Sequence, residues 1–152
     1  MKVLVLLFIL ISSVLSSQYT FLVNKYNKEI ELEAKIIFNI ASLISKNEEI
    51  KLYIPNISED EKSIYSKFFK LSETCESSDF VFIKKVNKSF VPCKGKNKYF
   101  FTNNYKKLLN NEEFFGAFFW TKSRPNIVFI KNRLESRKIS LPKNYQKFIE
   151  DF

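Results

Sequence analysis

The sequence predicts a single α/β domain, a sandwich of two or three layers in which helices pack on a mixed β-sheet and the chain closes with a hairpin and a helix. Three observations carry that prediction. Amphipathic helical stretches alternate with short apolar runs along the chain, the order that builds layered α/β folds. Hydrophobic residues make up 45% of the 152 positions, with 17 Phe and 7 Tyr spread along the length and only 2 Gly, a composition that folds rather than staying disordered. No internal repeat or glycine-rich linker divides the chain.

The first 17 residues carry Lys2, an uninterrupted apolar stretch from Val3 to Ile11, and then small residues, with Val14 and Ser16 suited to the positions before a cut. That is the pattern of a secretory signal peptide. Val3 to Leu15 is shorter than the roughly 20 residues a helix needs to cross a hydrocarbon core, so the mature chain is not expected to span a membrane. No cysteine follows the apolar run, which favours a soluble product over a lipid-anchored one. The expected organisation is a leader over 1–17 and one α/β domain over 18–152, located in the periplasm or secreted. The remaining length, about 135 residues, is that of one domain with a real core.

Each element has its own signal. After a short strand at Tyr19 to Val23, Lys28 to Ser45 places Ile30, Ala34, Ile37, Ala41 and Ile44 at helical spacing, with Ile36, Ile40 and Leu43 widening the stripe. The polar positions mix Glu31, Glu33 and Lys35 and lack the basic face of a membrane-surface helix. Ile50 to Ile54, stopped by Pro55, reads as a buried strand. Ser58 followed by Glu61 matches a capping box and opens a second helix to about Lys70, with Ile64, Tyr65, Phe68 and Phe69 inward. Phe80 to Ile83 is the next buried strand, followed by a polar connection and a short apolar stretch at Phe90 to Val91. Tyr99 to Thr102 is another strand, running into a short helix with Tyr105, Leu108 and Leu109.

Phe114 to Trp120 and Asn126 to Ile130 flank Thr121 to Pro125 and read as an antiparallel hairpin. Gly116 within the first run marks a bulge or a close backbone approach. A polar segment with Arg133, Arg137 and Lys138 leads to Leu141-Pro142 and a final helix with Tyr145, Phe148 and Ile149 inward.

The formal net charge is +9, of which Lys2 leaves with the leader. The lysines are dispersed without a basic stripe, and an exported chain does not meet nucleic acid, so nucleic acid is not an expected partner. Abundant Lys, Asn, Ile and Phe with scarce Ala and Gly also fit an AT-rich genome. Cys75 and Cys93 fall in an oxidising compartment, and a disulfide between them is expected. The alternative is a pair of buried thiols. Such a loop of about 19 residues is worth about 3 kcal/mol in the chain-entropy model.

The chain contains no histidine, which excludes a Ser-His-Asp triad, a Cys-His pair and a histidine metal site. Two cysteines alone complete no zinc shell, so no metal is expected. With Gly95 and Gly116 as the only glycines there is no room for a phosphate loop or a dinucleotide fingerprint, so no cofactor is expected. The carboxylate pairs Glu48-Glu49, Glu112-Glu113 and Glu150-Asp151 flank elements where solvated charge is ordinary, and no catalytic residue is assigned. Asn56-Ile57-Ser58 and Asn87-Lys88-Ser89 match the glycosylation sequon, which matters only in a eukaryote.

Two groups are candidate ligand contacts. Thr102, Asn103 and Asn104 end a strand at a helix start, where α/β sheets often hold ligands, and Lys106 and Lys107 would strengthen the field for an anion. The alternative is that Thr102 or Asn103 merely caps the helix. At the hairpin, Trp120 with Lys122 and Arg124 has the composition of a recognition site, while Trp120 serves equally well as a core residue.

Ala34 to Ala41 has the form Ala-x-x-x-Phe-Asn-x-Ala, and Cys75 precedes the strand Phe80 to Ile83. Ile127 to Ile130, then Arg133-Leu134 and Lys138-Ile139-Ser140, follow in the same order. With its leader, the chain thereby resembles the YfiR-type family of small periplasmic proteins over most of the mature length. It departs from that family at Phe114 to Trp120, where a small glycine pair is usual. The resemblance implies a periplasmic regulator that binds the exposed part of an inner-membrane signalling enzyme and restrains it, without catalysis, sometimes with redox-sensitive disulfides.

The expected function is therefore a secreted or periplasmic non-enzymatic binding module, acting as a sensory regulator on a membrane or periplasmic protein. The alternative is a domain that binds a small anionic ligand through Asn103, Lys106 and Arg124. A third reading, an exported enzyme using carboxylates alone, requires two acids converging in one pocket.

Overall fold

The stripe of Ile30, Ala34, Ile37, Ala41 and Ile44 forms one face of a helix, α1, over residues 25–44 of the computed structural model. The structure describes Val23, residues 25–45 and 47–85, Cys93, and residues 98–152. The expected leader over 1–17 and the apolar stretch Phe90 to Val91 lie outside the described residues. So does the strand expected at Tyr19 to Val23, except for Val23, which is helical.

Seven strands form one mixed sheet: β1 Lys51–Tyr53, β2 Lys70–Leu71, β3 Phe80–Ile83, β4 Tyr99–Thr102, β5 Phe114–Thr121, β6 Arg124–Ile130 and β7 Ile149–Glu150. Their spatial order is β2-β1-β3-β4-β5-β6-β7. Strands β1 to β5 pair parallel, β5 and β6 pair antiparallel, and β7 joins β6 in parallel. The short helices are α2 Glu59–Tyr65, α3 Tyr105–Asn110 and α4 Lys131–Ser136, with a 3-10 turn at Lys143–Phe148.

Strand periodicity divides the core in two. Phe80, Phe82, Phe101, Phe115, Phe118 and Phe129 face α1 and α2, meeting Ile37, Ile40, Ile64, Tyr65 and Phe69. Val81, Ile83, Phe100, Phe114, Ala117, Val128 and Ile130 face the other way, against Leu108 of α3. The Cys75–Cys93 disulfide, with Cα atoms 5.7 Å apart, packs against this second layer. The sandwich has three layers, the sheet in the middle. Among the described residues no helix is long and apolar enough to cross a membrane.

Gly116 shows both features expected of it. The β4–β5 register slips between Phe100 and Phe101, which face Phe114 and Gly116, so Phe115 is an extra residue. The bulge turns two consecutive positions toward the first core layer. A Cβ on Gly116 would lie 2.7 Å from the rings of Phe101 and Phe129 and 2.8 Å from the carbonyl oxygen of Val128, so only glycine fits.

Three expectations need correction. The second helix does not reach Lys70: it ends at Tyr65, with Ser66 as its C-cap, and Phe68 and Phe69 turn back onto the ring of Phe38. Lys70–Leu71 is then free to pair with β1 as the edge strand β2. The polar segment after the hairpin contains a short helix, α4, which is tied down where Arg133 donates from Nη1 to the carbonyls of Leu108, Asn111 and Phe114 at 2.6, 3.0 and 2.8 Å. Finally, the C-terminal helix is a 3-10 turn whose next residue, Ile149, enters strand β7 beside Phe129.

Candidate functional site

The C-terminal ends of β1, β3, β4 and β5 share one edge of the sheet. Because β1 lies between β2 and β3, the chain reverses direction across the sheet at the β1–β3 boundary, the place where α/β sheets open a crevice. Beside it β5 pairs with β4 only as far as Ala117 and continues to Thr121, so the β5–β6 hairpin projects past the edge as a wall. The hairpin turns through Lys122 and Ser123, at φ 48° and 60°. Pro125 faces Trp120 in β6, one pair beyond the hydrogen-bonded closing pair, where its missing N–H breaks no ladder bond.

One crevice at this edge, of about 650 Å³, lies at the ends of β1 and β2, and two others lie beside the hairpin wall. The first of these two, of about 590 Å³, is lined by Lys85, Asn103, Asn104, Tyr105, Lys106, Phe119 and Trp120 and has no carboxylate. Its neighbour, of about 410 Å³, is bordered by Tyr26, Glu29 and Glu33 of α1, Glu61 of α2, and Lys84 beyond β3. Lys85, Asn103 and Trp120 line both.

In the first crevice the local hydrogen bonds assign each polar residue a role. Thr102 is fully buried, donates to the carbonyl of Ile83 at 2.7 Å and accepts from the amide of Asn104 at 3.1 Å, so it supports the edge from behind. Asn104 is the N-cap of α3, accepting from the amides of Lys106 and Lys107 at 3.0 and 3.3 Å. The cap therefore falls on Asn104, and it occupies two of the amides an anion would otherwise use. Asn103 differs from both. Its Oδ1 accepts from the amide of Lys85, and because only an oxygen can meet that N–H, the orientation of the side chain is determined. Its Nδ2 has no hydrogen-bond partner among the described residues, and Asn103 lines both crevices. Lys107 points away, donating to the carbonyl of Lys84 at 3.1 Å. Trp120 is half-buried: it packs edge-on against Phe118 at 5.6 Å and still lines both crevices. Lys122 and Arg124 are exposed at the hairpin turn and line neither crevice.

The second crevice contains a buried charge group. Lys84 bridges Glu61 Oε1, in a short contact, and Glu33 Oε1 at 3.6 Å. Tyr65 donates to Glu33 Oε1 at 2.6 Å, and Tyr26 donates to Glu61 Oε1 at 3.4 Å. Lys84 Nζ also lies 5.3 Å from the centre of the Tyr65 ring. The capping box is present as expected, with Ser58 N donating to Glu61 Oε2 and Glu61 N to Ser58 Oγ, both at 3.3 Å. Burial pushes the Glu61 carboxyl up, but the bond and charge of Lys84 with the Ser58 donors outweigh it and hold the group below the ordinary carboxylate range. Burial, with the neighbouring Glu33, pushes the Tyr65 phenol well up.

These residues were not among the sequence candidates. Glu33 reads there as part of the polar face, yet it is only 6% exposed. The signals were available: Glu33 falls between Ile30 and Ile37 on the inward stripe, and Lys84 directly follows four buried strand residues. By contrast, Glu48, Glu49, Glu112, Glu113, Glu150 and Asp151 are all exposed. Among the described residues no three His, Cys, Asp or Glu side chains come together as metal ligands. Compared with protein-family models, curated proteins and solved structures, the chain matches none of them.

Proposed function

We propose that this chain is an exported, non-enzymatic binding module that takes a small anionic ligand in the crevice between the ends of β4 and β5. The observation that carries this reading is Asn103: the Lys85 backbone fixes its side chain, leaving an amide donor with no hydrogen-bond partner among the described residues, beside Lys85 and Lys106 in a crevice without carboxylates. Trp120 supplies an apolar wall. The leader pattern and the Cys75–Cys93 disulfide support a location in the periplasm or outside the cell. The resemblance to YfiR-type regulators supports an output in which ligand occupancy sets the module's hold on a membrane signalling protein.

Trp120 is the only tryptophan, so intrinsic fluorescence reports on this crevice directly. Titrating the mature chain with carboxylates and phosphate is expected to give a saturable fluorescence change and a rise in Tm, since a ligand of the native state stabilises it. Asn103→Asp keeps the acceptor for Lys85 and adds a negative charge, and it is expected to abolish the response. No saturable change with any anion would overturn the reading.

The convergence of Glu33 and Glu61 in one crevice meets the condition for a carboxylate-dependent enzyme. The binding reading is preferred because Lys84 fills the space between them, and because Glu61 is held ionised and so cannot serve as a general acid. Turnover of a chromogenic glycoside, lost in Glu61→Gln, would establish the enzyme instead.

A further inference from the structure

The buried charge group does not balance. Glu33 and Glu61 bring two carboxylates to the single ammonium of Lys84, and the three side chains are only 7%, 12% and 10% exposed. Both contacts made by Glu33 go to Oε1, from Tyr65 and Lys84. Oε2 has no partner among the described residues. Among the described residues no buried side-chain oxygen or nitrogen lacks one, so Oε2 is accessible, and Glu33 lines the crevice. Oε2 is therefore the one open acceptor on a carboxylate otherwise shut away from solvent, and a donor arriving in the crevice takes the place of water there.

The adjoining crevice has the opposite character, with Lys85, Lys106 and the Asn103 amide and no acid. Lys85, Asn103 and Trp120 line both, so the two crevices adjoin, an acidic end with Glu29, Glu33 and Glu61 beside Lys84, and a basic end with no acid. A simple anion satisfies only the basic end.

We infer that the ligand is a zwitterion of the amino-acid class, its ammonium donating to Glu33 Oε2 and its carboxylate accepting from Asn103 Nδ2 and the lysines, with its carbon chain against Trp120. The inference rests on the binding reading above and narrows its ligand from any anion to one that also carries an amine. Trp120 and Tyr26 also border the acidic end.

The test is a Trp120 fluorescence titration of the full mature chain with three matched series. These are amino acids of increasing length (glycine, γ-aminobutyrate, ε-aminocaproate), the carboxylates that lack the amine, and the amines that lack the carboxylate. At the best chain length the zwitterion is expected to bind about tenfold or more tightly than either partial analogue, the scale of one charge-assisted hydrogen bond. Glu33→Gln, which still accepts from Tyr65, is expected to remove that preference by weakening the amino acids, while simple carboxylates bind at least as well because a repelling charge is gone. Carboxylates binding as tightly as their amino acids would overturn the inference while leaving the anion-binding reading intact. Failure of all three series would overturn both. The wild-type comparison stands even if the variant does not fold.

Discussion

Lys84→Met removes the one ammonium that, among the described residues, touches both Glu33 and Glu61, while keeping most of the apolar volume of the side chain. At 3.6 Å and an effective dielectric of about 20, a single such contact is worth roughly 4–5 kcal/mol before desolvation. Stranding the two buried carboxylates costs about 3–5 kcal/mol. At about 3 °C per kcal/mol for a chain of this size, Tm should fall by about 10–15 °C near pH 7.

The pH dependence gives a second, independent signature. Glu61 in the native protein is held below its ordinary value of 4.5, so it adds stability that is present above that value and is lost as pH falls through the folded value. Without Lys84, burial is opposed at Glu61 only by the smaller contribution of the Ser58 donors, and its carboxyl rises. The native variant then takes up protons that its unfolded chain does not, and it gains stability as pH falls from neutrality toward about 5. The gap between the two proteins should close in acid. Tyr26 and Tyr65 face the same group but stay neutral throughout, since burial raises both phenols. Glu29 also borders the space. The assay is thermal unfolding followed by circular dichroism at a series of pH values. A loss of less than about 3 °C at neutrality, or a gap that does not change with pH, would refute the reasoning.

Gly116→Ala is expected to lower stability by about 1–3 kcal/mol, because the new methyl meets two packed rings and a backbone carbonyl in a core with no slack; equilibrium denaturation checks it. Replacing both Cys75 and Cys93 by serine should cost about 3 kcal/mol for a loop of separation 18, and thiol titration of the unfolded, unreduced wild type should find no free thiol. Arg133→Met leaves the carbonyls of Leu108, Asn111 and Phe114 without their donor and should cost at least about 2 kcal/mol. Hydrogen exchange should then show its largest increase at α4 and the α3–β5 connection, and an even increase across the sheet would contradict this role.

The α/β class, helix α1, the Ser58–Glu61 capping box, strands β1, β3 and β4 and the β5–β6 hairpin were all legible in the chain, because each signal is local: a period, a cap or a turn within a few positions. The pairing of Cys75 with Cys93 was legible for a different reason, as the only choice two cysteines offer. Of the candidate site, Asn103, Asn104, Lys106 and Trp120 do line one crevice. Thr102 supports it from behind, and Lys122 and Arg124 lie outside it at the hairpin turn.

What the sequence could not determine is whatever depends on partners far along the chain. Two-residue strands such as β2 and β7 carry no period of their own and exist only because β1 and β6 offer them an edge. Helix α4 has one inward apolar residue, Leu134, and owes its position to the carbonyls Arg133 finds on another segment. The charge group is the clearest case. Tyr65 meets Glu33 across 32 positions and Lys84 meets Glu61 across 23, from three elements that touch only once the sandwich has closed. Local pattern therefore determined the class of fold, while only tertiary packing decided which charges are buried together, since burial and pairing are properties of the assembled layers rather than of any one segment.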